Sequence, residues 1–90
     1  MAVMIDHVRQ TLRNHILSSY LFSSDPSALG DDDSFQERRH IDSMGMMQLI
    51  QFIESEFRIK LAEDDLVPEK LDSVNRLVRL IAEKQARWSA

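Results

Sequence analysis

The sequence predicts an all-α fold, a small four-helix bundle of three longer helices and one short one. Three observations carry that expectation. Gly and Pro together supply four of 90 residues, too few for the turns of a many-stranded β fold. Apolar residues recur at three- and four-residue steps in three separate stretches, the period of a helix with one buried face. With 43% apolar and 29% charged residues, the composition is that of a globular chain rather than a disordered one.

The elements follow in order. A first helix is expected from Val3 to Phe22, with Ile5, Val8, Leu12, Ile16 and Tyr20 on its inner stripe and Met4, Leu17 and Leu21 widening it. Ser23-Ser24-Asp25-Pro26 ends it, because the residue before proline is pushed out of the helical region. Residues 23–41 then form a long loop with Pro26, Gly30 and the run Asp31-Asp32-Asp33, anchored by Leu29, Phe35 and Ile41. Loops of this length in small domains are functional or mobile. A second helix is expected from Asp42 or Ser43 to Phe57, its face formed by Met46, Leu49, Ile50, Ile53 and Phe57. Ile59 and Leu61 form an extended link. Ala62 to Val67 can make one or two helical turns, with Asp64 and Asp65 near the start and Pro68 as the stop. The last helix starts at Asp72 or Ser73, both good N-caps. Val74, Leu77, Val78 and Ile81 are its inner face, and it is expected to fray from Gln85 to Ala90.

Ninety residues make a single domain, 1–90, with a modest core and little depth for an enzyme cleft. The chain has no cysteine, which removes disulfides and thiolate zinc sites. No apolar run approaches the roughly 20 residues of a membrane span. No basic start leads into an apolar stretch, so a secretory signal is not expected, and the expected location is cytoplasmic. Net charge is −4 but uneven. Residues 25–65 hold eleven acids against Arg38, Arg39, Arg58 and Lys60. That acidic middle disfavours nucleic acid and suits a partner with a basic surface, or it is simply a solvated loop.

The segment that can carry chemistry is Asp42-Ser43-Met44-Gly45, where the long loop becomes an amphipathic helix. Taken alone, Asp and Ser there need no reason beyond helix capping. The wider run adds one. Phe35, Glu37 and Ile41 lead into Asp42-Ser43-Met44, and the helix closes with Glu54-Ser55-Glu56-Phe57. The Ile59-Lys60-Leu61 link, a short acidic helix and a last helix opening at Asp72-Ser73-Val74 come next. This order resembles the acyl carrier and peptidyl carrier proteins over most of the chain from Phe35 to Ile81.

The resemblance implies that Ser43 holds a covalent phosphopantetheine arm, with Asp42 as the flanking motif residue. A phosphopantetheinyl transferase, with its magnesium, would move the arm from coenzyme A. The arm would then carry an acyl or aminoacyl group as a thioester. An acyl- or amino acid:carrier-protein ligase would load it, and downstream transferring enzymes would unload it. The chain would be a stand-alone monomer that catalyses nothing itself. Physical chemistry agrees, because an anionic phosphodiester at a helix start is favoured by free N–H groups and the helix dipole. The chain has no thiol of its own, so thioester chemistry requires an added group. Met44 and Met47 read as an apolar docking patch beside the arm, methionine suiting surfaces that must fit several partners, or as partial core. Glu54 and Glu56, at the far end of the helix, read as docking acids or as a solvated face. Arg39 stands where many carriers have glycine, and Gly45 and Gln48 stand where many fatty-acid carriers have acids. Asp-Ser-Met-Gly is more similar to the aminoacyl and D-alanyl carriers.

Other classes fit less well. Ser43, His40 and Asp42 could form a nucleophile, base and orienter, but triads are assembled across a fold with a cleft and an oxyanion hole. His7 and His15 stand about 12 Å apart along one helix, too far to share a metal. Trp88 packs on the bundle or lies on a frayed end. A helical interaction adaptor, with Ser43 only a cap, is the second class.

Overall fold

The computed structural model describes residues 5–89, with side chains through Ala86. Val3, Met4 and the side chain of Trp88 lie outside the described residues. The first apolar stripe becomes α1, Ile5–Ile16, and a π-helical turn over Leu17–Leu21. Val8, Leu12 and Ile16 are buried at four-residue steps, whereas Ile5, expected on the stripe, is exposed at 45%. The turn closes on Phe22 in the left-handed region, with its N–H donating to the Leu17 carbonyl. This satisfies carbonyls that a helix end leaves without a partner.

The long loop is well tied. Leu29, Phe35 and Ile41 are all buried, as their apolar character among polar neighbours predicts. The three acids Asp31, Asp32 and Asp33 between them are occupied rather than freely solvated. Asp31 accepts from Arg13 at 2.7 Å and from Arg9 at 3.1 Å. Arg13 also donates to the Leu29 and Pro26 carbonyls at 2.6 Å each. Asp32 accepts from Asn75 at 2.6 Å, and Asp33 accepts the Gly30 N–H at 2.9 Å. Asn75 also takes a hydrogen bond from Arg9 and donates its N–H to the Asp31 carbonyl.

The second apolar stripe becomes α2, Ser43–Phe57. Its deeply buried line is Gly45, Leu49, Ile53 and Phe57, while Met46 and Ile50, expected on the inner face, are half-buried. Arg58 ends the helix in a left-handed cap, its N–H bonded to the Glu54 carbonyl. The next stretch meets the expectation only in part. Residues 62–67 make a single 3-10 turn, Glu63–Asp65, within the one or two turns expected, but Pro68 begins a helix instead of stopping one. That helix is α3, Pro68–Leu71. Proline suits a first helical position because the missing N–H has no partner there anyway and φ is preset. Val67 before it is extended, as a residue preceding proline must be.

The last stripe becomes α4, Val74–Ser89, which runs through the segment expected to fray. Ser73 is its cap, accepting the Arg76 N–H at 3.1 Å. Asp72, the other candidate, turns to the long loop and accepts the Ser34 hydroxyl and, at 3.0 Å, the Gln36 N–H. Val74, Leu77, Val78 and Ile81 are buried, and Leu80 joins them. α1 and α3 each pack on α4.

A pair of charged groups is drawn inside. Asp65 is buried, 2.7 Å from Lys84 Nζ and 2.9 Å from Lys70 Nζ, and accepts the Ala62 N–H at 2.8 Å. The Lys84 hydrogen bond, followed by those of Lys70 and Ala62, holds its carboxyl well below the usual carboxylate range despite burial. The pair fastens the 3-10 turn to α4, which apolar packing alone cannot do for so short a segment. Removing one member leaves Lys84, itself buried, without its counter-charge. Asp65→Asn is therefore expected to lower the unfolding free energy by about 3 kcal/mol in urea titrations. Asp65→Leu combined with Lys84→Met should lose clearly less, because no charge is then stranded.

Candidate functional site at the start of α2

The loop reaches α2 through Ile41, buried, and then surfaces at Asp42 and Ser43, both exposed. Asp42 is extended and is the N-cap: its carboxylate accepts the Gly45 N–H at 2.7 Å, and its carbonyl accepts the Met46 N–H at 2.8 Å. Ser43 is thus the first helical residue rather than the cap. Its hydroxyl makes no hydrogen bond among the described residues. The N–H groups of Ser43 and Met44 belong to the first turn, where the helix itself supplies no acceptor.

Gly45, which stands where many fatty-acid carriers have an acid, is buried, with Tyr20 and Ile41 close against it. Its carbonyl accepts the Tyr20 hydroxyl at 3.1 Å. A Cβ placed there would stand 3.0 Å from Ile41 Cγ2, 3.1 Å from Asp42 Oδ1 and 3.1 Å from Tyr20 Cε1. The signal in the sequence was a glycine in a helix interior, a costly choice unless another group must come close.

A cleft of about 570 Å³ opens beside Ser43, between α2 and α3. Phe35, Ile41, Met46, Ile50, Leu66 and Leu71 give it an apolar floor, and Ser43, Met47 and Arg39 stand on its lining. Met44 and Met47 are both exposed, at 72% and 61%, as the docking reading requires. Met47 lines the cleft and Met44 does not. Glu54 is half-buried and its carboxylate accepts the Leu61 N–H at 2.9 Å, so it also ties the extended link to α2. Glu56 is exposed near His15.

The residues of a hydrolytic triad are not brought together. His40 Nε2 lies 3.6 Å from Asp33 and has no hydrogen bond, and the Asp42 carboxylate is occupied by its capping bond. Among the described residues no cluster of His, Asp and Glu could hold a metal. None of their helices is long and apolar enough to cross a membrane.

α2 is steadied on α1 by His15, whose ring stacks on Phe52 at 3.7 Å and 3° and meets Tyr20 edge-on at 5.8 Å. Burial pushes the His15 pKa below its ordinary value of 6.5, opposed by the charge of Glu56.

A chemically modified serine at this junction fits what surrounds it. The hydroxyl is accessible, an anion on it would face the free N–H groups of the first turn, and the cleft offers apolar surface to whatever the anion carries. A family model described as "phosphopantetheine attachment site" matches residues 19–81, which includes Ser43 and every lining residue of the cleft. Comparison with curated proteins returned no match.

Gly45→Ala should destabilise the fold by about 1 kcal/mol in urea or thermal unfolding. Three close neighbours make overpacking cost about 2 kcal/mol, more than the roughly 1 kcal/mol of helix propensity gained. For His15, the folded state resists a proton that the unfolded chain accepts. Stability is therefore full above pH 6.5 and falls as pH drops below it. Asp33 and Asp65, held low, lose their contribution only as pH falls below the ordinary 3.8. Between those limits His15→Phe, which keeps the stack, should flatten the decline of melting temperature with acidification.

Proposed function

We propose that this chain, which belongs to the phosphopantetheine-attachment family, carries its arm on Ser43 and presents an acyl or aminoacyl group on it to partner enzymes. The observation that supports the assignment best is the exposed Ser43 hydroxyl at the first position of α2, free of hydrogen bonds and beside an apolar cleft.

The group supplies a thiol at the end of a flexible tether, for which the chain has no substitute, since it lacks cysteine. Loading balances simply. The Ser43 oxygen forms a bond to the phosphorus next to pantetheine in coenzyme A, and the pyrophosphate P–O bond breaks. Adenosine 3′,5′-bisphosphate leaves, and the hydroxyl proton passes to a base of the transferase, which also holds the magnesium. This chain contributes placement: Asp42 caps the helix so that Ser43 faces outward, and Ile41 anchors the approach.

For the cargo, the reading favours an aminoacyl group loaded by a dedicated ligase. The start of α2 shows Met44, Met47 and Gln48 to solvent, with no carboxylate beyond the capping Asp42. Partners that recognise a row of acids there would find little to grip, whereas an adaptable apolar surface remains. Glu54 and Glu56 would supplement that surface at the far end of the helix. Repeated hand-over between enzymes requires weak docking, which accords with a cytoplasmic monomer.

Intact-mass spectra after incubation with coenzyme A, magnesium and a broad-specificity phosphopantetheinyl transferase should show a gain of one phosphopantetheine, absent from Ser43→Ala. Ser43 is not the cap, so this variant should keep its melting temperature. A folded native chain that gains no mass would reject the assignment in favour of an interaction adaptor.

A further inference from the structure

The basic run Arg38-Arg39-His40 is divided by the fold. Arg38 Nη2 and His40 Nε2 both turn to Asp33, at 3.8 and 3.6 Å. Arg39 instead lines the cleft that Ser43 also lines. Its guanidinium makes no hydrogen bond or ion pair among the described residues. The carboxylates on the same cleft are engaged elsewhere: Asp42 with the Gly45 N–H, and Asp72 with the Ser34 hydroxyl and the Gln36 N–H.

Arg39 also sits at φ 56, in the left-handed region. An L side chain is disfavoured there, and glycine is the residue that meets such a turn without strain. The turn is held by the His40 N–H on the Phe35 carbonyl at 2.9 Å, with Phe35 and Ile41 buried on either side. The backbone therefore accepts a strained residue whose side chain satisfies nothing within the fold, a combination that points to an external partner. What arginine adds over glycine at this place is a planar cation on a residue that lines the same cleft as Ser43.

We propose, resting on the reading of Ser43 as the attachment site, that Arg39 is a positioning residue that pairs with the phosphodiester joining the arm to Ser43 and holds the root of the arm on the cleft side of α2. The guanidinium fork matches two oxygens of a phosphate. The phosphodiester includes the Ser43 oxygen itself, so it stays beside the serine whatever the arm carries. A carboxylate in the cargo sits at the far end of the tether, at a much lower effective concentration. The first-turn N–H groups of α2 receive the anion from one side and Arg39 from the cleft side. The contact is exposed to water and is weakened by salt, so it governs the direction and mobility of the arm rather than the stability of the domain.

The test compares the unloaded chain with the chain loaded from coenzyme A by the transferase, the mass gain being checked first. Loading should shift the Arg39 side-chain Nε–Hε resonance, and added salt should diminish that shift. In loaded Arg39→Gln and Arg39→Gly the ³¹P resonance should narrow as the phosphorus gains mobility. Arg39→Gly relieves the left-handed strain, so loss of fold does not confuse the result, and Arg39→Lys should restore part of the broadening. A full mass gain with an unmoved Arg39 resonance overturns the proposal while leaving the attachment site standing. A shift that appears only with a carboxylate-bearing cargo also overturns it, in favour of cargo recognition. No mass gain removes both readings together.

Discussion

The carboxylate of Asp31, gripped by Arg9 and Arg13 of α1, is the contact on which the rest of the arrangement turns. Nearly twenty residues without regular helix must cross from the end of the first helix to the start of α2, at a substantial cost in chain entropy. Three buried anchors, Leu29, Phe35 and Ile41, supply apolar burial, but they do not by themselves choose a path. Asp31 does so, because its two oxygens face two arginines while its carbonyl takes the Asn75 N–H of α4. One loop residue thereby joins α1, the loop and α4.

The path leads to Ser43. Downstream of Asp31, the Asp72 carboxylate collects the Ser34 hydroxyl and the Gln36 N–H and its carbonyl takes the Phe35 N–H at 3.2 Å, so Phe35 enters the core with its backbone already bonded. The chain then makes the left-handed turn at Arg39, buries Ile41 and emerges at Asp42. A serine on a mobile loop would satisfy accessibility alone. A serine at the first position of a capped helix has a defined direction as well, which the proposed attachment at Ser43 would need.

Packing around α2 reconciles closeness with openness. Gly45 lets Tyr20 approach the helix start, and His15 stacks on Phe52 farther along, so one side of α2 meets α1 and its π-helical turn through these two contacts. On the other side Met46 and Ile50 are only half-buried, and the cleft opens toward α3. α3 is short and packs on α4 with Leu71 buried, and the 3-10 turn before it is held by the buried Asp65–Lys84 pair. The side that meets α1 holds the serine in place and the open side leaves apolar surface next to it.

The sequence by itself determined the helices, the anchors and the exposed junction at the start of α2. Apolar spacing of three and four residues marks α1, α2 and α4, since a helix must bury one face. Leu29, Phe35 and Ile41 stand out because they are the large apolar residues of a polar stretch. Asp42-Ser43 before an apolar period marks an exposed helix start, and its wider run resembles a family whose model the chain matches. Tertiary structure decided what depends on distant neighbours. Pro68 opens a helix because a preceding extended residue and a following turn were available, which its own preference for helix starts left undecided. Gly45 is buried because Tyr20, 25 residues earlier, comes to it. Asp72 served the loop and Ser73 the helix, although either could have capped. Arg39 faces the cleft while its two basic neighbours face Asp33, a division made by one left-handed backbone angle that composition and periodicity do not encode.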